Sequence, residues 1–84
     1  MPPLVSKRLF FSLIKERGNI SGLTIIFKIY NFSGSLEVQN TGIEIGNLGI
    51  YYVDFQLSPH KEYICIAEEV GGRWKDAKYI PSGK

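Results

Sequence analysis

The chain has 84 residues, 44% of them apolar, with five Tyr, five Phe and one Trp, and ten Lys and Arg against eight Asp and Glu for a formal charge of +2. That length allows one domain burying about 60 to 65% of its unfolded surface, which excludes a second domain and makes partner burial a natural supplement to stability. A near-balanced, mixed-sign charge argues against nucleic acid as a partner, and the single cysteine, Cys65, excludes an intrachain disulfide.

In chain order, Met1 to Ser6 contains Pro2 and Pro3, which lack amide donors and suit an N-terminal arm over residues 1–6. The domain is expected over residues 7–80, with a tail at 81–84. Lys7 to Lys15 reads as the first strand, with Leu9, Phe11 and Leu13 on one face and Phe10, Ser12 and Ile14 on the other. Its apolar run is six residues long and closed by Lys15-Glu16-Arg17, too short for a signal peptide. No stretch reaches the roughly 20 apolar residues of a transmembrane segment, so a soluble protein is expected, with no membrane insertion.

Gly18 to Gly22 is loop chemistry, and Leu23 to Tyr30 is a β-branched and aromatic strand with Leu23, Ile25, Phe27 and Ile29 on one face. A turn at Asn31 to Gly34 leads into a short strand, Ser35 to Gln39. Glycines at 42, 46 and 49 bracket Ile43 to Ile45. Ile50 to Leu57 alternates with a period of two, placing Tyr51, Val53, Phe55 and Leu57 together. Ser58 to Lys61 then reads as a hairpin turn, with Glu62 to Val70 as its return strand, apolar on both faces near Cys65. After Gly71-Gly72 comes the last strand, Arg73 to Ile80. Seven short strands with regular turn signals predict an all-β fold, a small antiparallel β-sandwich, with a small β-barrel as the alternative.

No catalytic constellation emerges. His60, the only histidine, lies in a turn beside Lys61 with no nucleophile near it in sequence. Cys65 falls mid-strand on the core face and reads as an inert thiol. One His and one Cys cannot build a zinc site, the carboxylates do not follow a calcium-loop spacing, and the glycines open no phosphate-binding helix. The reading is therefore no enzyme, no cofactor and no metal. Tyr30, Tyr52, Trp74 and Tyr79 lie on faces that alternation does not commit to the core; of these, Tyr52, Trp74 and Tyr79 are candidates for stacking on a carbohydrate, with Lys7, Arg8, Lys15 and Arg17 candidates for a nucleic-acid-binding barrel.

The segment Glu44 to Phe55, followed by Glu62-Tyr63-Ile64, resembles small immunoglobulin-like or transthyretin-like β-sandwich modules, in which a Gly-x-Tyr strand pairs with a later Tyr strand. With the earlier Leu23 to Tyr30 strand and the Ser33-Gly34 turn, it is similar to short bacteriophage and viral proteins that decorate virions. The resemblance covers Gly22 to Val70 and implies a binding or structural module. The chain departs from adhesive sandwiches in lacking a disulfide and a glycan-binding cluster.

Surplus apolar faces point the same way, since an 84-residue core does not need strands apolar on both sides. The expected function is a non-enzymatic structural protein, a capsid decoration or accessory protein whose partner is protein, either further copies of itself or a larger particle. Its interface would use Leu4, Val5, Phe10, Ile14, Ile64 and Ile66, and its location would be the virion, or the cytoplasm if the chain is not viral. A carbohydrate-binding module is the first alternative and a nucleic-acid-binding barrel the second.

Overall fold

The computed structural model describes residues 3–83. It is an all-β sandwich of seven strands: β1 (Val5–Ser12), β2 (Ile25–Asn31), β3 (Leu36–Thr41), β4 (Ile43–Glu44), β5 (Ile50–Leu57), β6 (Tyr63–Glu69) and β7 (Lys75–Ile80). They form two antiparallel sheets, one of order β1-β5-β4 and the other of order β3-β2-β6-β7. The described residues contain no helix and no closed barrel, so the barrel alternative does not hold. No helix among them is long and apolar enough to cross a membrane.

The period-two pattern places the core as expected. Tyr51, Val53, Phe55 and Leu57 of β5 face Ile25, Phe27 and Ile29 of β2 and Tyr63, Cys65 and Ala67 of β6 across the interior, joined by Phe11, Leu13 and Ile80. β1 begins at Val5, two residues before the expected start, because Val5 and Ser6 extend its register against Leu57 and Gln56. Two arm residues thus belong to the sheet, while Met1 and Pro2, with Lys84 of the tail, lie outside the described residues.

The hairpin expected between β5 and β6 does not form. β5 pairs with β1 and β4, whereas β6 pairs with β2 and β7. The segment from Ser58 to Glu62 is an arch that carries the chain from one sheet to the other. A hairpin would place both apolar inner faces side by side in one sheet, whereas the arch sets them against each other across the core. The Tyr63 hydroxyl fixes the crossing by accepting a hydrogen bond from the Ser58 amide at 3.1 Å.

A second crossing occurs between β3 and β4. Only Gly42 separates them, and its amide donates to the Ile25 carbonyl at 2.7 Å, so one extended run leaves β2 of one sheet and joins β5 of the other. A β-bulge opposite Ile29 and Tyr30 turns Val38 inward, opposite Ile29, and Leu36 outward, opposite Tyr30.

The loop between β1 and β2 is fastened by side chains of the first sheet. The buried Tyr51 hydroxyl donates to the Ile20 carbonyl at 2.8 Å and accepts from the Leu23 amide at 3.1 Å. Glu44 accepts from the amides of Gly22 at 2.9 Å and Gly49 at 3.0 Å. Those bonds, Gly22's above all, hold its carboxyl below the usual carboxylate range against a smaller desolvation effect. With the folded value lower than the unfolded one, this stabilisation is present at neutral pH and is lost as pH falls through the folded value. The stability gap between the native chain and Glu44→Gln is expected to be widest near pH 7 and to narrow below about pH 4.5, where carboxyls take up protons; denaturant titrations at a series of pH values check this.

Candidate functional site

Among the described residues no group of three or more His, Cys, Asp and Glu side chains gathers as metal ligands would. Cys65 is buried between the sheets, and burial pushes its thiol up to about 11, opposed only by nearby Lys78. His60 is exposed in the arch, where its amide donates to Ser58 Oγ at 3.3 Å. The chemistry on offer lies instead on the two outer faces and at the sheet edges.

On the outer face of the three-stranded sheet, the antiparallel register sets Phe10 beside Tyr52 and Tyr52 beside Ile43. The rings of Phe10 and Tyr52 lie 6.4 Å apart at 45°. Arg8 closes this row with a two-point ion pair to Asp54, at 2.8 and 2.9 Å, and its guanidinium stands 4.7 Å over the Tyr52 ring. The bonded guanidinium draws the Asp54 carboxyl below its ordinary range.

The outer face of the four-stranded sheet carries more apolar surface. Its register makes a continuous row of Leu36, Tyr30, Ile64 and Tyr79, one residue from each strand. Phe32, 61% exposed in the β2–β3 turn, packs edge-on against Tyr79 with centroids 6.0 Å apart. The next row holds Lys28, Ile66 and Ala77, and Lys28 is engaged with Glu68 at 2.8 Å. Tyr79, 55% exposed, donates its hydroxyl to Glu62. Apolar side chains thus run across the whole width of this sheet at one end, rimmed by a neutralised ion pair.

The sequence-derived interface residues divide between these surfaces. Ile64 and Ile66 sit together on the second sheet, half-buried by their neighbours, and neither meets the first strand. Phe10 lies on the opposite outer face, Ile14 is exposed just beyond β1, Val5 is exposed at the strand start, and Leu4 borders a cleft at the end of the sandwich. The three candidate stacking rings are likewise dispersed. Tyr52 lies on one outer face and Tyr79 on the other, while Trp74 packs partly against the core, with the Arg73 guanidinium 4.2 Å over its ring. Of the candidate cations, Arg8 is bound to Asp54.

Sequence reasoning missed Phe32, Leu36 and Ile43 as surface-forming residues. Tyr30, read from alternation as lying with Lys28 on a face not committed to the core, sits in the outer row. Phe32 lies in a turn, where alternation carries no information, and Leu36, which alternation puts on one face with Val38, is set on the opposite face by the bulge of β3. Compared with known proteins, the chain matches no protein-family model, no curated protein and no solved structure.

Proposed function

We infer that this protein is a non-enzymatic interaction module that self-associates through the outer face of its four-stranded sheet. The observation that carries this reading is the row Leu36–Tyr30–Ile64–Tyr79 with Phe32 beside it, an apolar surface spanning four strands that no part of the described chain covers. Interfaces are enriched in Tyr, Phe and Arg and depleted of unpaired charge at their centres, and here Lys28 and Glu68 beside the row neutralise each other, while the Glu62 carboxylate at its Tyr79 end accepts from that tyrosine's hydroxyl. A second copy of the same face supplies the matching surface, since a twofold interface is self-complementary. A narrower form of this reading is a virion decoration or accessory protein, in which the same face docks on a larger particle.

Light scattering coupled to size exclusion tests the association. The native chain is expected to exceed monomer mass at high concentration, and Ile64→Lys, which sets a charge at the middle of the row, is expected to restore the monomer with an unchanged β-type circular dichroism spectrum. A native chain that stays monomeric throughout the concentration range would sink self-association. Density-gradient banding of the chain with intact virions tests the narrower form.

A further inference from the structure

We propose that the open edge of β5, from Val53 to Leu57, is an acceptor site for one extended segment of a partner polypeptide, bound antiparallel as a fourth strand of the three-stranded sheet. The site is separate from the outer face of the four-stranded sheet and stands or falls independently of it.

Main-chain direction along β5 is fixed by two bonds. Leu13 donates to the Gly49 carbonyl on the β1 side, and Ile45 donates to the Ile50 carbonyl on the β4 side, so the even-numbered residues of β5 aim their amides and carbonyls away from β1. β4 occupies that side only opposite Tyr51 and Tyr52, because the chain reaches β4 directly from the other sheet through Gly42. Beyond it, Asp54 and Gln56 present two donors and two acceptors, with no strand beside them among the described residues. Five residues of free edge span about 17 Å, room for a short strand.

Each of the other long edges carries an obstacle at one or more points. β1 has its Phe10 carbonyl capped by Lys78 Nζ at 2.7 Å, β7 places Lys78 and Asp76 opposite the inward-facing Cys65 and Ala67, and β3 is interrupted by its bulge. Charges and bulges of this kind keep edges from pairing.

Three features state what fits. The unpaired amides and carbonyls call for another main chain, the mode by which extended peptides add to sheet edges. At the Leu57 end of the edge, where the sandwich ends, opens a cleft of about 390 Å³ lined by Leu4, Glu37, Val38, Leu57, Lys61 and Tyr63. It takes a small apolar side chain near the amino end of the segment, which in an antiparallel pairing lies beside Leu57. Since Glu37 and Val38 of β3 already occupy the layer below, a single slender strand enters, whereas the edge of a second folded sandwich would bring its own second sheet into the same space. Lys61, at the β5 end of the cleft and in no ion pair among the described residues, matches an acidic residue at the amino end of the segment, the other charge of the lining, Glu37, being engaged by Asn31 Nδ2 at 2.7 Å.

Amide hydrogen exchange by NMR tests this on the full chain. In the free protein, Asp54 and Gln56 are expected to exchange at least tenfold faster than Val53 and Phe55, and protected Asp54 and Gln56 amides would overturn the proposal. The probe is an acetylated, amidated peptide with aspartate first, followed by alternating threonine and valine. Saturating peptide is expected to slow both amides at least tenfold, whereas the same peptide N-methylated at its threonines leaves them unchanged. Val38→Lys and Lys61→Glu, both at exposed positions, are expected to weaken the peptide at least threefold while preserving the native spectrum. Absence of peptide-induced protection, equal binding of the N-methylated peptide, or protection that arises merely on concentrating the protein would each refute a donated partner strand.

Discussion

Replacing Phe27 with alanine is expected to lower stability by about 3–5 kcal/mol, the range for deleting a buried aromatic side chain. Phe27 is 1% exposed in β2, flanked by β3 and β6, so its ring has packed neighbours from both sides of the sheet and from β5 above. The ring also touches the sheet crossing. A Cβ built on Gly42 would lie 2.6 Å from Phe27 Cε1 and 3.2 Å from Cδ1, so the glycine is there to let the strand pass over the ring. Removing the ring therefore empties the interior and withdraws the support under the crossing. In a domain of this size, a loss of 3 kcal/mol lowers the melting temperature by about 12–24 °C. Calorimetry and urea denaturation measure it, and the cavity term has a further check: Phe27→Leu, which fills most of the space, is expected to lose distinctly less.

The second large effect is expected at Tyr51→Phe, at about 1–3 kcal/mol. The substitution keeps the buried ring and removes one oxygen, yet that oxygen serves two main-chain groups of the β1–β2 loop, Ile20 C=O and Leu23 N–H. Both are left half-buried without a partner, and the cost of stranded polar groups exceeds the net worth of a hydrogen bond between exposed ones. Equilibrium denaturation gives the size of the loss. Hydrogen exchange locates it, with the Leu23 amide expected to exchange faster while those of Val53 and Phe55 keep their rank among the slow amides.

Much of the fold was legible in the sequence because period-two alternation reports the two faces of a strand. β5 occupies Ile50–Leu57 as expected, with its four odd-numbered side chains buried, and β2 buries Ile25, Phe27 and Ile29 as read. What alternation does not report is which strand lies beside which. Ser58-Pro59-His60-Lys61 has turn residues that serve a hairpin and an arch equally well, so the step from β5 to the other sheet was misread as local pairing. The candidate surface suffered from the same gap. Ile64 and Ile66 stood out as apolar in excess of the core, but whether they share a face with Phe10 depends on sheet assignment, and they lie on opposite faces. The vacancy beside β5 was invisible for a related reason, since Gly42 reads as a turn glycine and nothing local reveals that the strand changes sheets there.

The arch at Ser58–Glu62 also sets a timetable for folding. Because it sends β5 back to β1 and β6 back to β2, the central pairings join Val5 with Leu57 and Ile25 with Glu69, and only β2–β3, β4–β5 and β6–β7 pair strands that are neighbours along the chain. Non-local pairings of this kind carry a large loop-closure cost before they yield any contact, which slows folding into the millisecond-to-second range. During synthesis β1 emerges first of the strands and waits longest, its Phe11 and the adjoining Leu13 in water until β5 has left the ribosome. The three local pairings form first and the first strand docks late, so the N-terminal third of the chain is where a nascent molecule is most open to aggregation or to a chaperone.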